Sequence, residues 1–176
     1  MTRLLALAGF ALLAGCSAAG GEDAVATNGR VRDFADILTP AEEQRLTERL
    51  DEAERLYGPQ VGIVTVASLG GEAIEDASLA YAREWGLGDK VRDDGLLIMV
   101  APNDRSVRIE VGEGLEGRFD DSFCQRVIDT AMIGHFRQGH YNRGLAAALD
   151  MMIGKMKEDP TLPANDNALP DASKAA

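Results

Sequence analysis

The sequence is poor in aromatic residues and has no cluster of basic residues. Phe, Trp and Tyr make up 5% of its 176 residues, and the formal net charge is −11 at pH 7. Nucleic-acid binding depends on Lys and Arg side chains that neutralise phosphates, and single strands are also held by aromatic stacking. These shortages exclude nucleic acids from the expected partners.

Cysteine is equally scarce, and one of the two cysteines lies next to a targeting segment. The first 15 residues contain one Arg, an apolar run and small residues, which is typical of a secretory signal and too short to span a bilayer. The tetrad Leu13-Ala14-Gly15-Cys16 resembles the bacterial lipobox, whose cysteine becomes lipid-modified. An ordinary signal peptide with an incidental cysteine is the alternative. We expect a lipid-anchored protein of the bacterial cell envelope, facing the periplasm or the exterior.

The second cysteine has no partner once Cys16 is acylated, so no intramolecular disulfide is expected. Cys124 shares one side of a predicted helix with Val127, Ile128 and Ala131. This apolar setting predicts a buried thiol that packs as a small hydrophobic side chain.

Small and polar residues flank the middle of the chain on both sides. We predict a lipoprotein signal peptide at residues 1–15, a flexible tether at 16–30, one folded domain at 31–156 and a disordered tail at 157–176. No apolar run at the carboxyl end is long enough for a membrane helix.

Hydrophobic periodicity and turn residues predict an α/β domain. Four helices are expected near residues 40–57, 74–85, 121–135 and 141–156, and three strands near 60–66, 95–101 and 106–111. The helix between the first two strands implies a right-handed parallel crossover. The short turn at residues 102–105 makes the last two strands an antiparallel hairpin, so the sheet is mixed.

Residues 112–117, GEGLEG, match the G-x-G-x-x-G pattern of turns that bind a dinucleotide pyrophosphate. Three features argue against that ligand. The preceding strand belongs to a hairpin, the next helix begins several residues late, and Glu113 and Glu116 would repel the phosphates. We therefore expect no dinucleotide at this loop.

The same loop is predicted to take part in a group of carboxylates. In an antiparallel hairpin the start of one strand lies beside the end of the other, so the residues before 95–101 should approach those after 106–111. Six side chains should converge there: Asp93, Asp94, Glu113, Glu116, Asp120 and Asp121.

This group of carboxylates predicts a divalent-cation site. Ca²⁺ takes six to eight oxygen ligands, including carboxylates and backbone carbonyls, and Mg²⁺ is the other possible ion. The alternative is that the six side chains are helix caps and solvated loop charges. Asp121 is the residue that we expect to cap the third helix.

These segments resemble the TPM domain family, which occurs in bacterial envelope proteins, thylakoid-lumen photosystem-repair proteins and animal receptor modulators. The matching stretches are VRDFADILTPAEEQRL, YGPQVGIVTVASLGG, REWGLG, DDGLLIMVAPNDRSVRIEVGEGLEG and FRQGHYNRGL. The resemblance implies a three-layer α/β/α sandwich around a small mixed β-sheet with one parallel crossover and one antiparallel hairpin.

The resemblance also bears on the site and the anchor. It implies calcium binding at an acidic edge in some members and acid phosphatase activity in others. The family's acidic positions correspond here to Asp93, Asp94 and Asp120 or Asp121, with Asp33 as a weaker candidate. Many bacterial relatives have a carboxyl-terminal membrane helix, and the lipid on Cys16 is expected to take its place.

Two function classes follow from these features. The favoured one is a calcium-binding interaction or assembly module of an envelope protein complex, because carboxylates suffice for it and no nucleophile paired with a base is visible. The other is a metal-assisted acid phosphatase acting on phosphomonoesters. In that case a cation would neutralise the phosphate, water or Asp94 would attack, and Arg92 or Lys90 would assist.

Overall fold

The computed structural model describes residues 29–158. In order, the described residues form β1 (Val31–Asp33), α1 (Pro40–Tyr57), β2 (Gln60–Thr65), α2 (Ile74–Trp85), β3 (Gly95–Ala101), β4 (Ser106–Val111), α3 (Asp121–Val127), α4 (Ile133–Phe136) and α5 (Tyr141–Lys157). A 3₁₀ turn at Glu113–Leu115 precedes α3, and a π-helical turn at Ile128–Met132 joins α3 to α4. The predicted signal peptide, Cys16 and nearly all of the predicted tether and tail lie outside the described residues.

The strands form one mixed sheet in the order β1-β2-β3-β4. β1 and β2 are parallel, β2 and β3 are parallel, and β3 and β4 are antiparallel. The predicted parallel crossover and hairpin are confirmed, and β1 adds a second parallel crossover. The sequence does not predict β1, because three residues are too few to show an alternating pattern.

Helices cover both faces of the sheet, which confirms the three-layer sandwich. On one face, α1, α3 and α5 pack on the strands through residues such as Leu50, Val127 and Leu149. On the other face, α2 is the helix within residues 29–158 that packs on the strands, with Ala77 and Trp85 against the sheet. Together these two cores bury the strand side chains on both sides, so β3 is apolar along its whole length.

The two parallel crossovers have opposite hands. Their strands follow one another in the same direction across the sheet, while α1 lies on one face and α2 on the other. A connection that moves in the same direction on the opposite face has the opposite hand. One of the two crossovers therefore departs from the right-handed rule on which the sequence-based prediction relied.

Local sequence explains where the helices begin and end. The Thr39 backbone N–H donates to Glu42 Oε2 at 2.9 Å, and this hydrogen bond lowers the pKa of Glu42. At the other end of α1, Gly58 adopts a positive φ of 93°. The predicted start of the third helix at residue 121 is confirmed, but its predicted cap is wrong. The N-cap is Asp120, whose side chain accepts from the Phe123 N–H at 2.7 Å, and Asp121 is the first helical residue.

The sheet has two ends that matter for function. The end at which β3 begins and β4 finishes carries the loops with the predicted site, and we call it the amino end. The opposite end, where residues 102–105 turn the chain from β3 into β4, we call the turn end. Within residues 29–158, no helix is long and apolar enough to cross a bilayer.

Candidate functional site

Two loops pack against each other at the amino end of the sheet. The Gly112 N–H donates to the Gly95 carbonyl at 2.8 Å, and the Gly114 N–H donates to the Asp93 carbonyl at 3.0 Å. In addition, the Asp93 carboxylate accepts from the Glu113 N–H at 3.3 Å. The approach of Asp93 to the GEGLEG loop, predicted from the hairpin, is confirmed.

The glycines of this loop are required by contacts within the chain. A Cβ on Gly112 would overlap the carbonyl oxygen of Asp93, and one on Gly114 would overlap the carbonyl oxygen of Arg92. A Cβ on Gly117, the last glycine of the pattern, would meet nothing within 4 Å. The first two glycines therefore let two backbone segments approach each other, a role that involves no phosphate.

Three of the six predicted carboxylates lie along one cavity at the amino end. Asp93, Glu113 and Glu116 line a space of about 390 Å³. All three residues are exposed, so their charged forms stay hydrated and their side chains can turn. The structure thus brings half of the predicted set to a common surface.

The same cavity has further charged residues that the sequence-based prediction missed. Asp89, Glu110 and the cation Arg83 line it, together with Lys90, which the sequence analysis named only for the phosphatase alternative. Glu110 accepts from the Ser78 hydroxyl at 2.8 Å and from Arg108 Nε at 2.7 Å. Its only signal in the sequence is a polar position in an alternating strand, which is typical of any half-exposed strand.

Asp94 has a structural environment that differs from that of Asp93. The residue is 4% exposed, and its carboxylate accepts from the Asp89 N–H at 2.8 Å and from Arg92 Nε at 2.6 Å. Asp89 in turn accepts from the N–H groups of Val91 and Arg92, which lowers its pKa. These bonds hold the loop before β3 closed, so both oxygens of Asp94 already have donors.

Asp120 and Asp121 lie at the start of α3, outside the lining of this cavity. Asp120 uses one carboxylate oxygen to cap the helix. Cys124 is buried, as the sequence predicts, and its pKa is raised to about 11 by burial and then by the charges of Asp121 and Asp120. The thiol is therefore protonated and inert at neutral pH.

Asp33, the weaker candidate, lies at the end of β1, toward the turn end. It accepts from the Leu38 N–H at 2.7 Å and from the Thr65 hydroxyl, and so ties the loop before α1 to the sheet. Its charge also acts on Glu43, whose pKa is raised first by burial and then by Asp33 and Asp36. Both carboxylate oxygens of Asp33 thus have a structural use.

The carboxylate oxygens at the amino end are of the kind that binds a hard cation, but their present arrangement does not enclose an ion. Within residues 29–158, no group of three or more His, Cys, Asp or Glu side chains is arranged to hold a metal ion. The exposed carboxylates of Asp93, Glu113 and Glu116 are nevertheless the oxygen ligands that Ca²⁺ takes, and Ca²⁺ sites are flexible and include water.

The chain belongs to the TPM domain family, whose profile matches residues 31–155. Among solved structures, the amino-terminal domain of a P. gingivalis protein is 34% identical, covers 73% of this chain and 82% of its own, and superposes with a TM-score of 0.68. No curated protein sequence matches this chain significantly.

Two more distant structures share the fold. The BA42 protein of the psychrophilic bacterium Bizionia argentinensis is 18% identical with a TM-score of 0.63, over 75% of this chain and 88% of its own. The amino-terminal domain of a Corynebacterium glutamicum protein is 12% identical with a TM-score of 0.59, over 81% and 86% respectively.

Proposed function

We propose that this protein is a lipid-anchored TPM-domain protein of the cell envelope that binds a divalent cation, Ca²⁺ in the first place, at the amino end of its sheet. The cation would join the loop before β3 to the GEGLEG loop and so set the shape of a surface that contacts an envelope protein complex. The observation that carries the proposal is that Asp93, Glu113 and Glu116, from two loops, line one cavity.

The packing of the two loops supports this proposal. Close backbone contacts at Gly112 and Gly114 hold the two loops against each other. The distances between the carboxylates of the two loops therefore vary mainly with the rotation of the side chains. Repulsion between like charges at close range is relieved when a cation binds between them. Because the side chains must turn to meet the ion, we expect a dissociation constant on the order of 10⁻⁴ to 10⁻³ M, as in extracellular calcium modules.

The ligand set that we propose is smaller than the six carboxylates expected from the sequence. Asp94 accepts from Arg92 and from a backbone N–H, and Asp120 caps α3. A carboxylate with such partners would have to give up these hydrogen bonds before it could bind an ion. We therefore assign the direct ligands to Asp93, Glu113 and Glu116, and we leave Asp121 as an exposed charge at the start of α3.

The phosphatase alternative draws less support from the described residues. In that alternative a metal-positioned water or Asp94 attacks, with Arg92 or Lys90 assisting at the phosphate, and Asp94 and Arg92 are the residues that we expected to be catalytic. In the structure, however, these two side chains bind each other at 2.6 Å, and Asp94 is buried. Because a nucleophile must be accessible to its substrate, this pair is better suited to holding the loop.

The membrane part of the proposal rests on Cys16, which precedes the described residues. Mass spectrometry of detergent-extracted protein should find two or three acyl chains on Cys16, since a single chain anchors only marginally. Cys16→Ser should release the protein from the membrane fraction. An unmodified amino terminus at another residue would contradict the anchor and leave the cation site untouched.

Titration calorimetry tests the cation site. Ca²⁺ and Mg²⁺ are titrated into wild-type protein, into Asp93→Asn and into Glu113→Gln/Glu116→Gln. Asparagine keeps both the acceptor for the Glu113 N–H and a tolerance for positive φ, so Asp93→Asn removes only the charge. The control is Glu72→Gln, an exposed carboxylate that does not line the cavity. Equal binding by Asp93→Asn and by the control would overturn the site.

A further inference from the structure

A second cavity, of about 430 Å³, lies at the turn end of the sheet. Its walls come from the end of β3, the turn into β4 and the junction between α4 and α5. Val107, Ile133 and Phe136 are among its apolar lining residues. Its charged residues are Arg105 and Arg137, and no carboxylate occurs among the residues that line it. This volume is in the range of small-molecule sites.

The two arginines of this cavity have no partner within the described residues. Neither guanidinium makes a hydrogen bond or an ion pair with any residue in 29–158. The neighbouring carboxylate of Asp104 is used elsewhere, since it accepts from the Leu69 N–H at 2.9 Å. In a protein with a net charge of −11, two unpaired guanidiniums at one cavity form a local positive potential.

The backbone at Arg105 points to a role for its side chain. Arg105 has a φ of 52°, a left-handed conformation that favours Gly, Asn and Asp. The turn therefore carries a conformational cost that a glycine would avoid. A left-handed residue can close a short hairpin turn, but glycine serves there at lower cost, and other residues held in this conformation cluster at active sites and ligand clamps.

The helices beside the cavity add to its positive character. Tyr141, one of the lining residues, is the first residue of the 17-residue α5, and that helix has no side-chain cap. The positive end of the helix dipole therefore borders the cavity. Arg137 directly follows α4, and α4 itself directly follows the π-helical turn at Ile128–Met132. π-Helical turns are frequent at functional sites.

We propose that this cavity binds a small organic anion. Its phosphate or carboxylate group pairs with Arg105 and Arg137, and its attached apolar body packs on Val107, Ile133 and Phe136. Guanidinium groups bind both kinds of anion with paired hydrogen bonds. The site is at the opposite end of the sheet from the proposed cation site, so it does not depend on calcium.

Binding of phenyl phosphate and of benzoate to the full-length protein tests this proposal. Titrations followed by NMR in the presence of a chelator should give saturable binding of at least one of the two. Inorganic phosphate and phenol should each bind at least about tenfold more weakly, because each offers only one of the two kinds of contact.

Variants connect this binding to the two arginines. Arg105→Gly and Arg137→Gln should each weaken binding at least about tenfold. Arg105→Gly should leave the melting temperature unchanged or raise it, because glycine relieves the positive φ, so a loss of binding cannot be ascribed to misfolding. The control is Arg143→Gln, an exposed arginine of α5 that does not line the cavity. The proposal is wrong if Arg105→Gly binds as well as the control, if neither phenyl phosphate nor benzoate shows saturable binding, or if inorganic phosphate or phenol binds as tightly as the tighter of those two ligands.

Discussion

Each of the two cavities is lined by one residue other than glycine at a positive φ, and these two residues differ in how far their side chains explain the conformation. At the amino end, Asp93 has a φ of 47°, and at the turn end, Arg105 has a φ of 52°. Aspartate adopts this conformation more readily than most residues, and the Asp93 carboxylate also accepts from the Glu113 N–H. The Arg105 N–H donates to the Pro102 carbonyl at 3.2 Å, but the Arg105 guanidinium has no hydrogen bond or ion pair within residues 29–158.

This difference separates two uses of an unusual backbone. At the amino end, the left-handed residue belongs to a network of contacts between two loops, and that network explains its conformation. At the turn end, the side chain takes no part in the hydrogen bonds of the turn, and we assign its use to the cavity that it lines. Packing and charge should therefore stabilise the loops of the amino end, whereas the backbone at Arg105 should have a conformational cost that glycine would relieve.

The largest effect is expected from Gly114→Ala. The new Cβ would overlap the Arg92 carbonyl, so one of the two loops must shift. We expect a loss of about 3 kcal/mol in the free energy of unfolding, measured with urea. Gly117→Ala, in the same loop but with open space around it, should change that free energy by less than about 1 kcal/mol. Similar losses for both variants would contradict the loop packing described here.

Asp94→Ala should have the next largest effect. The variant removes a buried carboxylate with two donors and leaves the Asp89 N–H unsatisfied, which we expect to lower the free energy of unfolding by about 2 kcal/mol. Asp93→Asn, at the adjacent residue, should lower it by less than about 0.5 kcal/mol in chelator. If both variants lower the free energy of unfolding equally, the distinction between a structural Asp94 and a solvent-facing Asp93 is incorrect.

Calcium should stabilise the native protein by a smaller amount. For a dissociation constant of about 1 mM, 10 mM Ca²⁺ adds about 1.4 kcal/mol, which raises the melting temperature by a few degrees. Differential scanning calorimetry in Ca²⁺ and in chelator measures this rise, and Asp93→Asn should lose most of it. Identical melting of the wild type in both conditions would exclude the cation site.

Arg105→Gly should have the smallest effect, of unusual sign. Relief of the positive φ offsets the extra freedom of glycine in the unfolded chain, so we expect a free energy of unfolding that is unchanged or higher by up to about 1 kcal/mol. Arg45→Gly, an exposed arginine in α1, should instead cost about 1 kcal/mol. Chemical denaturation of both variants measures this difference. An equal loss in the free energy of unfolding would show that the positive φ at Arg105 has no conformational cost.

Much of this architecture could be predicted from local sequence. The bounds of β3 and β4 follow from an apolar run, a turn and an alternating run, and α1 follows from a proline, a capping Glu42 and a terminal Gly58. These signals are readable because each depends on residues close together in the chain. The opposite hands of the two crossovers depend on which face each helix covers, and no local signal reports that.

The site was only partly predictable for a related reason. The hairpin places Asp93 and Asp94 at the same end of the sheet, but neighbouring residues point in different directions, and only the folded loop shows that Asp94 is occupied by Arg92. The second cavity is harder still to foresee. Arg105 lies in a hairpin turn and Arg137 at the end of a helix, and no motif links two positions so far apart in the sequence.

The π-helical turn at Ile128–Met132 makes the effect of a deletion depend on where in this helical segment it falls. In this turn the Ile133 N–H reaches back to the Ile128 carbonyl, one residue further than in an α-helix, so the turn accommodates one extra residue. Deleting Thr130 would remove that extra residue and allow a regular helix to form, and Arg137 would keep its direction around the helix axis. Deleting Gly134, in the regular helix α4, would instead rotate the residues that follow by about 100° and turn Arg137 away from Arg105. Two single-codon deletions only a few positions apart would thus have opposite consequences for the cavity, although neither changes a residue that lines it.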